Sequence, residues 1–494
     1  MTGDELGVVV PTDAGGRRSS SVLGRAVVAD ALRRVDPVGA ARAERESSWR
    51  TGYVPHFRRL LEAGLASRQA AVDVAADGLR AVHGRMRYQA ADGREEPLDA
   101  MLWDQSGSSL STVELRGTGA PDAEFSLPLR GAWLTGGTLA RQLDSWTEAG
   151  VLEPSAADGV RTVMAHPEWL ALEGHTVVVL GAAAEMGPLP ALLRWGARVA
   201  AVDLPRPEVW RRVLAADHDR AGTLLVPVAA DRAGTADSAT AAQHAGLDLL
   251  TDIGAAAEWI RNLDGRVVLG NYVYADGVTN LRLSAAVDAM TASLLDTLPD
   301  LALAFLATPT DIFAVAPEVV AHALRAYGGR SRLAKVIGPP LRAMSAGRLL
   351  RRQYVSGAYP GIHDALVPQQ GPNYALAKRV QRWRSTVARA AGSTVSMNVA
   401  PPTRTRSVLK NRALAAAYAG AHRFAIEIFE PATANTLMAA LLVADLHTAG
   451  GPAHEHPWQD EAHAAVHGGL WRGPYQPRSA LGLAAVIGYR AARS

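Results

Sequence analysis

Thr176-Val-Val-Val-Leu-Gly181-Ala-Ala-Ala-Glu-Met-Gly187-Pro, followed by Trp195-Gly-Ala-Arg-Val-Ala-Ala-Val-Asp203, decides the fold class of this chain. The apolar run Thr176–Leu180 reads as a strand, and Gly181 permits a tight turn off its end. Gly187 then opens a helix whose N-terminus can approach a phosphate, a charge that the helix dipole favours. Val199–Val202 is a second strand. Asp203 ends it, about 20 residues beyond the turn, where it can accept hydrogen bonds from a ribose diol. Ala183 stands where a G-x-G-x-x-G pattern has its middle glycine. Ala183, Glu185 and Met186 therefore join Gly181 and Gly187 as the expected nucleotide contacts. The competing reading is a structural turn with no ligand.

Outward from this unit, strands and helices alternate, which is the signature of a parallel sheet wound with helices. Strands are expected at Thr176–Leu180, Val199–Val202, Thr223–Val228, Val267–Leu269, Leu301–Ala307 and Thr394–Val399. Helices are expected at Leu189–Trp195, Ala255–Asn262, Ser284–Leu298, Tyr374–Ala390 and Ala432–Leu446. The fold class expected is therefore α/β, a Rossmann-type doubly wound parallel sheet over residues 171–450. An insertion of partly helical character covers about 316–372, because that stretch is too long for a simple connection. Before the sheet, residues 1–20 read as disordered, and 21–170 as a mainly helical domain with a small β-hairpin within 109–130. Residues 451–494, with Trp458, Trp471 and Tyr475, read as a cap on the body.

Composition narrows the chemistry. The 494 residues contain no cysteine, which excludes disulfides, thiolate nucleophiles and Cys-ligated metals. The net charge of +3 is too small an excess to argue for nucleic acid, although Arg348–Arg352 and Arg404–Arg412 are locally basic. The longest apolar runs, such as Leu301–Ala307 and Leu437–Ala444, fall short of the roughly 20 residues a membrane span needs. Met1-Thr-Gly-Asp-Glu-Leu lacks the basic and apolar regions of a secretory signal, so a cytoplasmic location is expected.

A second constellation lies at Gly371-Pro-Asn-Tyr374-Ala-Leu-Ala-Lys378. Spacing of i, i+4 puts Tyr374 and Lys378 on one helix face, where an ammonium can stabilise a tyrosinate and also hold a ribose. A phenol tuned in this way can exchange a proton with a carbonyl or hydroxyl group while hydride moves. Beyond it runs Ser393-Thr-Val-Ser-Met-Asn-Val-Ala-Pro401-Pro402-Thr403-Arg404-Thr405. With Gly270-Asn271-Tyr272 and the Gly181–Gly187 turn, these pieces resemble, in type and order over 175–450, the short-chain dehydrogenase/reductase family. That resemblance implies catalysis by Tyr374 and Lys378, with Asn280 and a hydroxyl group completing the relay. Ser356 is preferred for the hydroxyl, and Thr308 or Thr310 is the alternative. It also implies cofactor contacts from Asn271, Tyr272, Lys378, Pro401, Thr403 and Thr405, and from Asp252 near adenine. Asp203 favours NAD, while Arg206 keeps NADP open.

Other clusters carry less. His463 and His467 have metal-ligand spacing without the H-E-x-x-H arrangement, and His454 and His456 lie near them. Capping or solvated roles are preferred, and no metal is expected. Glu427 and Glu430 read as structural. The function expected is an NAD(P)-dependent oxidoreductase acting on a carbonyl, hydroxyl or C=C group of a bulky or hydrophobic small molecule. No nucleic-acid partner and no membrane span are expected, and homo-oligomerisation is open. The alternatives are an epimerase or dehydratase of similar fold, an S-adenosylmethionine methyltransferase, and a non-catalytic dinucleotide-binding module.

Overall fold

Apolar runs long enough for a strand and buried on both faces are the building blocks of the central sheet. The computed structural model describes residues 6–101, 110–215, 220–232, 238–357, 359–448 and 454–489. Seven strands pair in it: β1 (Leu110–Arg116), β2 (His175–Leu180), β3 (Arg198–Val202), β4 (Thr223–Ala229), β5 (Arg266–Asn271), β6 (Ala302–Ala307) and β7 (Val395–Val399). Their spatial order is β7-β6-β5-β2-β3-β4-β1. The six strands from β2 onward are parallel, and β1 is antiparallel to β4. The chain thus builds outward from β2 through β3 and β4, then crosses back to lay β5, β6 and β7 on the other side.

Period-two alternation divides each strand between two cores. Val177 and Val179 enter one cluster, and Val178 and Leu180 enter the other. The helices that shape the molecule around this sheet are α1 (Arg68–Arg85), α2 (Gly277–Thr297), α3 (Arg332–Met344), α4 (Pro372–Ala390) and α5 (Pro431–His447). The Val177 face is covered by α5, Pro154–Ala165 and Leu189–Arg194. On the Val178 face lie α2, α4 and Ile253–Arg261, and α1 packs over α4 in turn. Helices before and after β2 therefore share one hydrophobic core.

α1 and α4 approach closely at Gly78. A Cβ there would lie 2.5 Å from the Trp383 ring, which is itself buried. Two terms of opposite sign compete in Gly78→Ala. Helix propensity gains about 1 kcal/mol, while overpacking a filled site costs about 1–3 kcal/mol. Gly78→Ala should therefore lower unfolding stability by about 1 kcal/mol in urea titration, against the propensity ranking. A gain in stability would mean that the Trp383 ring is free to move. The same helices are tied by charge: Arg384 donates to both oxygens of Asp288 at 2.8 and 2.9 Å, and His83 lies 2.7 Å from it. Burial pushes the Asp288 carboxyl up, but Arg384 and His83 outweigh it and hold it down at about 2.

Two expectations need correction. The stretch 109–130 does not close on itself as a hairpin. Leu110–Arg116 pairs over its full length with Thr223–Ala229, from Leu110↔Ala229 to Arg116↔Thr223. Residues Leu127–Leu129 pair instead with Ala132–Leu134 across Arg130-Gly131, both at positive φ as in a type I′ turn. Within 1–20, residues 1–5 lie outside the described residues, but the chain is folded from Leu6 on. Gly7–Val9 pairs with Arg87–Gln89, and buried Val8, Val9 and Val10 supply the reason. Inside 316–372, two helices (Pro317–Gly328 and α3) lead to a strand, Gly361–Asp364, that pairs back onto Ile312–Val315. The tail after Gly450 packs inward: Trp471 is fully buried 5.1 Å from the Phe313 ring. No described helix is long and apolar enough to cross a membrane.

Candidate active site at the carboxyl edge of the sheet

In an open α/β sheet the crevice forms outside the carboxyl ends of the strands, where the winding direction reverses. Here that point lies between β2 and β5. Gly181 follows β2 with φ +82°, a conformation that L side chains resist, and a Cβ there would sit 3.0 Å from the Tyr272 carbonyl oxygen. Gly181 and Ala182 both donate to the Val202 carbonyl at the end of β3, at 2.8 and 3.1 Å. The turn is therefore held against both neighbouring strands.

Asp203 lies where the sequence put it, at the end of β3. Its Oδ2 accepts from the Ala183 N–H and its Oδ1 from the Leu204 N–H, each at 2.8 Å. Each oxygen keeps a lone pair for a diol. The Gly187 N–H is used by the Ala184 carbonyl at 3.0 Å, and Pro188 and Pro190 bring no N–H to the helix start. The Glu185 and Met186 N–H groups meet no acceptor among the described residues. The open N–H donors are therefore in the loop itself and not at the helix end. The Glu185 carboxylate is neutralised by Arg406, whose N–H and Nε donate to it at 2.9 and 3.0 Å. These residues fit the ribose and a phosphate of a nucleotide.

The loop after β7 reaches the glycine turn through that Arg406 contact. Within it, the Thr403 hydroxyl donates to the Pro401 carbonyl at 2.9 Å, and Thr405 pairs with Ser407 at 2.9 Å. Asp252 is engaged elsewhere. Its oxygens accept from the Asp248 N–H and the Thr251 hydroxyl, in a turn that the N-terminal strand covers through Val8 N–H to Leu250 carbonyl.

Over β6, two strands from β2 in the sheet, α4 carries Tyr374 and Lys378. The Tyr374 phenol faces Thr308 and is pushed above its ordinary value by burial, with the Thr308 hydrogen bond opposing. The Tyr274 ring stands edge-on to it at 6.4 Å. Lys378 Nζ donates to the Leu306 carbonyl at 3.3 Å and to Gln381 Oε1 at 3.1 Å, not to Tyr374. No carboxylate lies within ion-pairing distance of Lys378 among the described residues, and burial pulls its ammonium down to about 8. Gln381 Nε2 in turn donates to Asn271 Oδ1 at 3.3 Å, at the end of β5. The Thr308 and Thr310 hydroxyls meet at 2.9 Å, and Gln370 Nε2 donates to Thr310 at 2.8 Å.

Tyr374, Lys378, Asn271 and Thr308 thus come together, with Tyr272 alongside at the Gly181 turn. Asn280 is buried one turn into α2, where its Oδ1 accepts the Ala275 N–H at 3.1 Å and so holds the loop after β5. Ser356 is exposed, in the loop before Gly361–Asp364, and no hydrogen bond links it to the Tyr374 group. The hydroxyl beside Tyr374 belongs to Thr308. Sequence reasoning missed Gln381, Gln370, Tyr274 and Tyr418. Gln381 was legible in principle, one turn beyond Lys378 on the same face (i, i+3).

Tyr418 stands close enough to Tyr374 to disfavour its ionisation, and burial pushes the Tyr418 phenol itself up to about 12. A cavity of about 260 Å³ opens beside it, walled by Leu129, Ile426, Ile428 and Phe429. Glu427 lines this cavity and pairs with Arg130 at 2.7 Å. The histidines of the tail serve packing. His467 lies 2.9 Å from Glu153, and His456 caps the helix Pro457–Ala462. No group of three His, Asp or Glu side chains is arranged for a metal among the described residues. Comparison with protein-family models, with curated proteins and with solved structures finds no match to this chain.

Proposed function

We propose that the protein is a nicotinamide-dependent oxidoreductase of short-chain dehydrogenase type, built on a Rossmann-type sheet. The observation that carries the reading is the juxtaposition at one sheet edge. The Gly181 turn sits at the reversal point of a 3-2-1-4-5-6 strand order, and the Tyr374–Thr308 and Lys378–Gln381–Asn271 groups lie two strands away. Asp203 would hold the ribose diol, and the Glu185 and Met186 amides a phosphate. A bound nicotinamide supplies hydride at its C4 position.

The chain's own residues handle the proton. Burial keeps the Tyr374 phenol protonated at neutral pH, so it is set to donate to a carbonyl oxygen as hydride reaches the carbonyl carbon. Thr308 and Thr310 form a hydroxyl pair that can relay its replacement. Lys378 keeps a positive charge beside the developing alkoxide. The cavity beside Tyr418, apolar along Leu129, Ile426, Ile428 and Phe429 and polar along Arg130, His422, Glu427 and Glu430, suits a bulky substrate that carries polar groups as well.

Thermal-shift titration with NADH, NADPH, NAD⁺, NADP⁺ and S-adenosylmethionine tests the reading. A dinucleotide at about 100 times its Kd should stabilise the fold by about 2.7 kcal/mol. Asp203→Ala should weaken NADH more than NADPH. Stabilisation by S-adenosylmethionine alone would sink the proposal in favour of methyl transfer.

A further inference from the structure

The segment from Arg330 to Arg352 contains seven basic residues and no Asp or Glu, against a net charge of only +3 for the whole chain. The rest of the protein is therefore net negative, and the excess of cations over acids lies here. Five of them, Arg332, Lys335, Arg348, Arg351 and Arg352, are exposed, and none meets a carboxylate among the described residues. The same segment carries an unpartnered apolar face. On α3, Leu333, Val336, Ile337 and Met344 fall at i, i+3, i+4 and i+11, one side of a helix. They are 67%, 71%, 43% and 85% exposed, and Gly338 is the one buried residue of the helix.

The helix is nonetheless anchored in this orientation. Ser331 caps its start, and Arg342 Nη2 donates to the Tyr327 hydroxyl at 2.6 Å. Leu341, Leu349 and Leu350 pack with Phe424, Ala480 and Ala484. The apolar face thus points away from the body while the other side is fastened to it. The helix Pro477–Gly488, which joins the same small cluster, adds exposed Val486 and Ile487.

We propose that this face docks the protein onto an anionic lipid surface. A fixed amphipathic helix with bulky apolar groups on one side and unpaired cations around it matches a bilayer interface on both counts. Nucleic acid would use the cations and leave four large apolar side chains in water. A second copy of the chain would set five exposed cations against five. A neutral bilayer would use the apolar groups alone. The inference stands on this surface and does not rest on the proposed activity.

Vesicle flotation with the full chain tests it, using phosphatidylcholine alone and phosphatidylcholine mixed with phosphatidylglycerol. Binding should appear with the anionic vesicles only and fade as salt rises. Ile337→Ser with Met344→Ser should abolish it. Lys335→Ser and Arg348→Ser should each weaken it about fivefold. All four positions are exposed, so the urea midpoint of the variants should match the parent, which separates lost docking from lost folding. Equal binding to both vesicle types, or none to either, overturns the proposal. So does duplex DNA binding that survives Ile337→Ser with Met344→Ser while vesicles stay unbound. A dimer seen by sedimentation equilibrium and dissolved by those substitutions would reassign the face to self-association.

Discussion

Asp311→Ala is expected to destabilise the protein by about 3–5 kcal/mol, the cost of leaving buried charge without its partner. Asp311 follows Thr310 directly and is 2% exposed. Its Oδ1 accepts from Arg379 Nη2 at 3.2 Å and from the Ile312 N–H at 2.7 Å, and its Oδ2 from Arg382 Nη1 at 2.7 Å. Arg382 also grips Glu461 of the tail at 2.7 and 2.6 Å. Removing Asp311 leaves Arg379, which is buried, with no acid in ion-pairing distance among the described residues, and Arg382 with Glu461 alone. Burial pushes the Asp311 carboxyl up, but the two guanidinium groups more than offset this and hold it below the ordinary carboxylate range. With the folded value below the unfolded one, the carboxyl stabilises fully above about pH 4, and its contribution is lost as pH falls through the folded value. Urea titrations of parent and variant at neutral and acid pH read both effects. The gap between them should close on the acid side. A neutral-pH midpoint within experimental scatter of the parent would show that water compensates Arg379, and the network would then carry little of the fold.

That network marks where the sequence stopped being readable. Arg379, Arg382 and Arg384 look like a solvated helix face, because composition does not report which carboxylates the tertiary fold will deliver. Asp311 and Glu461 are 150 residues apart in the chain, and both reach Arg382. The six parallel strands were legible for the opposite reason. Burial on both faces leaves continuous runs of Val, Leu and Ala that few other structures require. Leu110–Arg116 is half exposed and pairs with a strand more than 100 residues later, so no local turn announces it.

That Tyr374 and Lys378 share one helix was legible from the sequence alone. The choice between Ser356 and Thr308 was not, since it depends on Gly361–Asp364 pairing back onto Ile312–Val315. That pairing closes the intervening segment into an excursion and leaves Thr308 at the strand end beside Tyr374. Asp203 was placed correctly along the chain. Its hold on the Ala183 N–H is a matter of main-chain path through three alanines, which side-chain identity does not encode.

Lys378→Met is expected to raise stability by about 1 kcal/mol and to cut turnover by about 100-fold or more. The two effects have one origin. In the parent, an ammonium is held among a main-chain carbonyl and a glutamine amide with no carboxylate in ion-pairing distance among the described residues, and the more distant Asp311 offsets its burial only in part. Burial is the cause of its fall to about 8. Below that value the folded state carries a penalised charge. Between about pH 8 and the unfolded value of about 10.4, the unfolded chain holds a proton that the folded one has released. Stability therefore rises with pH across that window in the parent, by linkage, and this share of the slope should vanish in Lys378→Met. Methionine has a similar length and no charge, so it fills the space without the penalty. Turnover of the parent should likewise fall above about pH 8 if the cation serves the reaction. A lysine kept only for packing predicts the reverse pair of results: a destabilised variant with activity intact. The combination of a more stable protein and a dead enzyme is what separates a functional charge from a structural one, because selection tolerates an unpaired buried cation only where something other than folding requires it.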